Sequence, residues 1–146
     1  MIYEELKTDL FEMPEDYYFA QCISADFAMG KGIAVEFNKH FNTKQKIMFY
    51  STFEDRWDLG EHGTCLLTDR VYNLITKRNY WMKPTYETLQ RALDAMVVMV
   101  QNNPDVKHIA MPKIGCGLDR LSWPVVSAMI QNTFQSCDVH IIVCYL

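Results

Sequence analysis

Apolar runs and amphipathic stretches alternate along this chain, and each change of period marks a change of element. Residues 2–6 predict a first strand. Residues 17–23 are almost continuously apolar and predict a second strand, buried on both faces. Ile33, Ala34, Phe37 and Phe41 then follow helical spacing, after which 43–63 loses regularity. Its aromatics, Phe49, Tyr50, Phe53 and Trp57, suggest a short helix among loops. Runs 64–67 and 71–76 flank Asp69-Arg70 and predict a hairpin. Pro84 is expected at the first position of a helix carrying Leu89, Leu93, Met96, Val97 and Val100 on one face, and Asn102-Asn103-Pro104 stops it. The apolar run 108–111 predicts another strand. Ser122-Trp123-Pro124 opens a last helix with Val126, Met129, Ile130 and Phe134 in phase, and 139–145 predicts the final strand. Strands alternating with amphipathic helices in this way give an α/β layered domain.

With 146 residues, 49% of them hydrophobic, the chain suits one domain around one core. A net charge of -4 and the absence of long like-charge runs exclude the broad basic footprint of a typical nucleic-acid binder. Neither a leader-like N-terminus nor a long apolar run is visible, so the expected location is cytoplasmic, with no membrane partner. The five cysteines lack paired metal-ligand spacing, which favours neither a disulfide framework nor a metal site. Four lie in or beside apolar runs, where a free thiol behaves as a small hydrophobe.

Candidate chemistry concentrates after the strands. Gly30-Lys31-Gly32 and Gly115-Cys116-Gly117 each follow an apolar strand and precede a helix, an arrangement that can present backbone N–H groups to an anion. Either loop could equally be a tight turn. Asp119 closes the second loop, as a reactive carboxylate or as the cap of the following helix. Lys77 ends a strand, a rigid mount for a nucleophilic amine, though a solvated lysine beside Arg78 would look the same. Cys116 lacks the histidine before it and the arginine six residues after it that a cysteine phosphatase needs, since Gly115 precedes and Arg120 follows by four.

Six ordered motifs give these candidates a context. They are Thr8-Asp9-Leu10-Phe11, Cys22-Ile23-Ser24, Met29-Gly30-Lys31-Gly32-Ile33-Ala34, Leu74-Ile75-Thr76-Lys77, Lys83-Pro84-Thr85-Tyr86-Glu87, and the run from Met111 to Leu121. Together they resemble macrodomains of the terminal ADP-ribose protein glycohydrolase type across nearly the whole chain. The resemblance implies a single three-layer α/β/α macrodomain, residues 1–146, built on a central mixed sheet that binds ADP-ribose at its strand ends. It implies that Asp9 reads adenine with the Leu10 backbone beside it, and that Leu146 lies near the same base. Ser24, Met29, Gly30, Lys31, Gly32 and Ile33 would approach the distal ribose, while Lys113, Ile114, Gly115, Cys116, Gly117 and Leu118 would wrap the diphosphate. Lys77 would attack the anomeric carbon of a Glu- or Asp-linked ribose, and Asp119 would move protons, with no metal and no cofactor. The implied partner is ADP-ribosylated protein, with a non-catalytic ADP-ribose reader, ADP-ribosylated nucleic acid and O-acetyl-ADP-ribose as alternatives, and a monomer is expected. One position departs from the family pattern. Cys144 stands where the family has a tyrosine near the adenine, and Tyr145, shifted by one, is expected to face the other side of the sheet.

Overall fold

The computed structural model describes residues 1–146. Six strands form one sheet in the order β1 (Ile2–Lys7), β6 (His140–Tyr145), β5 (His108–Met111), β2 (Tyr18–Ser24), β4 (Val71–Lys77), β3 (Thr64–Thr68). All neighbours are parallel except β3, which returns antiparallel along β4, so the sheet is mixed as expected.

Alternation along the central strands sends side chains to two helical layers. Ala20, Tyr72, Ile109, Met111, Ile141 and Val143 pack under α4 (Tyr86–Gln101) and α5 (Trp123–Thr133). Phe19, Ile23, Val71, Ile75, Ala110 and Ile142 face the other layer, built on α1 (Ile33–Phe41), α2 (Thr43–Ile47) and α3 (Glu54–Asp58). Phe37, Leu93 and Met96 are fully enclosed, each contributing about 1.5–3 kcal/mol by removal from water. The chain after β2 therefore turns to one face and the chain after β5 to the other. Between two such neighbouring strands, a crevice opens at the carboxyl ends.

Three sequence expectations shift. Helix α4 begins one residue after Thr85, whose hydroxyl accepts the N–H of Thr88 while the Thr88 hydroxyl accepts the N–H of Thr85. Pro84 therefore precedes the cap instead of opening the helix, because this reciprocal bonding fixes the start. Ala92 joins the buried face, and Val97 is only half-buried. Segment 43–63 holds two five-residue helices, α2 and α3, and an intervening single turn at Met48–Tyr50, rather than one short helix. Helix α5 starts at Trp123, well beyond the second glycine pair, so its N-terminus is separated from that loop by residues 118–122.

Candidate active site

Both glycine loops sit at the carboxyl ends of the sheet, and they touch. A Cβ placed on Gly32 would lie 3.3 Å from Cδ1 of Leu118, so the loop after β2 and the loop after β5 close over one another. Beneath this contact, Lys77 at the end of β4 donates from Nζ to Oδ1 of Asp119 at 2.6 Å. Each of the two side chains is only 14% exposed. Asp119 thus meets an amine from another strand, and the helix-cap alternative does not hold: Ser122 occupies the cap position of α5.

The β2–β4 pairing shifts register between Ile23 and Ser24, which sets Ser24 opposite Lys77. Ser24 is buried, and its hydroxyl donates to Oδ1 of Asp26. The second Asp26 oxygen accepts the backbone N–H of Tyr80 at 3.0 Å, and the first also accepts that of Ala28. Burial opposes this negative charge, but the hydrogen bonds from Ser24, Tyr80 and Ala28 outweigh it and hold the carboxyl below the usual carboxylate range. Asp26 therefore ties the loop after β2 to the loop after β4. Sequence reading passed it over; the Ser-x-Asp spacing was the available signal.

The second loop is shaped for donors. Gly115 adopts φ +72°, and a Cβ there would come within 3.0 Å of Leu121. Gly117 has an ordinary backbone and open space around it, so nothing in the protein itself demands a glycine. The N–H groups of Gly115, Gly117 and Leu118 meet no acceptor in the protein, which leaves them available to an anion. Ile114 is buried, and Cys116 donates its thiol hydrogen to the Ile114 carbonyl. Burial pushes the Cys116 thiol up against the opposing Lys113 charge, and pushes that of Cys22 nearby up more strongly, with the Asp119 carboxylate adding to both. Neither is a ready thiolate, in keeping with the rejected phosphatase chemistry.

At the other end of the crevice, Asp9 follows β1 and accepts the Phe11 N–H at 3.0 Å, with Leu10 buried behind it. Cys144 faces this side, its thiol pushed up to about 11 by burial and then by Asp9. Tyr145 faces the opposite layer, where its ring lies 4.7 Å from Nζ of Lys113. Lys113 thus holds its ammonium over the Tyr145 and Trp123 rings, close enough to the loop to oppose the burial that pushes the Cys116 thiol up. Leu146 is exposed just past β6. In the first loop Met29 is buried, while Gly30, Lys31 and Ile33 are exposed at the mouth. Arg78 does not accompany Lys77: it lies just past the end of β4, where the chain bends, and its guanidinium binds Glu54 and Asp58 of α3. Partial burial and the Asp119 contact remain as the surroundings of the Lys77 amine.

Comparison with known proteins gives this crevice relatives. No family model matches the chain. It is 43% identical over 139 residues to human "ADP-ribose glycohydrolase OARD1", covering 94% of this chain and 88% of that protein. The chain belongs to the macrodomain family of ADP-ribosyl hydrolases. Among solved structures, the macrodomain of Mycobacterium tuberculosis DarG superposes with a TM-score of 0.80 at 18% identity, covering 99% of this chain and 97% of that one. The macrodomain of Thermus aquaticus DarG gives 0.77 at 23%, covering 99% and 98%, so the macrodomain fold is shared well beyond sequence likeness.

The two glycines of the macrodomain's second loop should separate folding from binding. Gly117→Ala meets no atom within 4 Å, and its stability in urea should stay within about 0.5 kcal/mol of wild type while ADP-ribose affinity measured by calorimetry falls. Gly115→Ala, strained at φ +72°, should cost about 1–2 kcal/mol in the same urea titration.

Proposed function

We propose that this macrodomain hydrolyses the ester between ADP-ribose and a glutamate or aspartate side chain of a modified protein. The observation that carries the reading is the Lys77–Asp119 pair, 2.6 Å apart beneath two glycine loops whose free N–H groups suit a diphosphate.

Binding places the distal ribose over the pair, with the adenosine end toward Asp9 and Leu146. An amine attacks only with a free electron pair, so Lys77 must first give up a proton. Asp119 Oδ1 is already in contact to take it. This transfer removes two opposite charges from a poorly solvated spot at once, which keeps its cost low there. The neutral amine then bonds to the anomeric carbon as the bond from that carbon to the ester oxygen breaks. The side-chain carboxylate leaves with the electron pair, and Lys77 holds the ribose covalently. Asp119 gives its proton up to the departing carboxylate or to solvent. It then takes one from a water molecule whose oxygen bonds to the anomeric carbon as the carbon–nitrogen bond breaks, the electron pair returning to the Lys77 amine. A carboxylate is a good leaving group, so positioning, one nucleophile and one proton carrier are sufficient chemistry.

Incubating the protein with a glutamate-linked mono-ADP-ribosylated substrate tests the reading. Release of free ADP-ribose is expected. Binding of ADP-ribose without release from that ester would leave a reader rather than a hydrolase.

A further inference from the structure

The segment that leaves Lys77 carries an unusual surface. Tyr80 is 55% exposed and Trp81 66%, and Met82 next to them is exposed as well. The two rings meet edge to face with centroids 5.2 Å apart, so they form one small shelf rather than two stray side chains. This shelf is pinned at both ends. The Tyr80 N–H is bound to Asp26 on the first loop, and Lys83 Nζ donates to the Leu118 carbonyl on the second. The two bonds tether the shelf to Asp26, two residues past Ser24, and to Leu118, next to Asp119, and so set it beside the loops that flank the Lys77–Asp119 pair.

We infer that Tyr80, Trp81 and Met82 form the subsite for the polypeptide that carries the ADP-ribose, packing against residues that flank the modified carboxylate. The inference rests on the hydrolase reading above and adds its substrate side. Charge around the shelf selects this occupant. On the side of the glycine loops, Lys31, Lys83 and Arg120 are exposed and make no ion pair, which suits a segment containing acidic residues. On the α3 side Arg78 pairs with Glu54 and Asp58 and Arg56 with Glu61, while Asp55 stays unpaired, so four carboxylates face two guanidiniums and the flank is net acidic. A nucleic-acid strand needs a cationic track for successive phosphates and would meet this acidic flank. A polypeptide of mixed charge meets both flanks favourably. Exposed Trp, Tyr and Met near a polar rim are also the residues on which protein contacts concentrate.

The test compares three substrates: a peptide ADP-ribosylated on glutamate, O-acetyl-ADP-ribose, whose acetyl group is too small to reach the shelf, and an ADP-ribosylated single-stranded oligonucleotide. Trp81→Ala should lower kcat/KM on the peptide about tenfold or more, chiefly through KM, with Trp81→Phe restoring most of it. Turnover of the acetyl ester should change by less than about twofold, because that substrate leaves the shelf empty. Equal losses on peptide and acetyl ester, no loss on the peptide, or a larger loss on the oligonucleotide than on the peptide would each overturn the inference. Failure of the wild type to turn over either ester would instead sink the hydrolase reading. The shelf is then read from binding: the modified peptide should bind more tightly than free ADP-ribose, and Trp81→Ala should abolish that difference, whose persistence would overturn the inference.

Discussion

Lys77→Arg is expected to abolish ester hydrolysis, lowering the rate of ADP-ribose release by at least about 10³-fold, while calorimetric affinity for ADP-ribose stays near that of wild type. Arginine is the informative replacement. It keeps a cation beside Asp119, so the carboxylate is not stranded in a site where it is 14% exposed. A guanidinium stays protonated at any working pH, however, and offers no free electron pair to a ribose carbon. Alanine would confound lost chemistry with an unpaired buried carboxylate. If Lys77→Arg retained a tenth of the wild-type rate, Lys77 would be a positioning cation and a water molecule the attacking group. Because the two residues act as a unit, the Lys77→Arg/Asp119→Ala double variant should be scarcely slower than Lys77→Arg alone.

Asp119→Ala should behave differently. Its overall turnover is expected to fall about 10²–10⁴-fold, the usual worth of a positioned proton carrier. Attack and release do not suffer equally. A lysine still reaches the ribose slowly once solvent removes its proton, whereas release of the bound sugar then lacks the group that assists water. Mass spectrometry of this variant after incubation with modified substrate should show one ADP-ribosyl group retained on the peptide containing Lys77, and none after adding Lys77→Arg to it. A variant that is slow but never labelled would exclude the covalent step even if hydrolysis by the wild type is real.

The layered fold was legible because strands buried on both faces leave continuous apolar runs, as in Tyr18–Ser24, and because α4 repeats its apolar positions over sixteen residues. Segment 43–63 was not, for the opposite reason. Its helices are five residues long and take their shape from contacts such as the Phe53 N–H donated to the Ala25 carbonyl, which no local period announces. Spacing found both glycine loops, but the contact of Gly32 with Leu118 exists only once the sheet is assembled. Asp26 escaped notice because its decisive partner, the Tyr80 N–H, is 54 residues away. Arg78 misled in the reverse sense: adjacent to Lys77 in sequence, it falls past the end of β4 and is drawn to the carboxylates of α3. The displacement of the last aromatic to Tyr145 was readable from strand alternation alone, and the ring does face the α5 layer, over Lys113.

The sheet order has a consequence for how the reactive pair is assembled. Lys77 ends β4 and Asp119 follows β5, yet these strands do not pair; β2, made much earlier in the chain, lies between them and hydrogen-bonds to both. No local folding of the segment from 64 to 122 can bring the amine and the carboxylate together, because the spacer that sets their separation comes from outside it. The Lys77–Asp119 pair therefore depends on a strand from outside that segment, and its spacing is fixed only once β2 lies between β4 and β5.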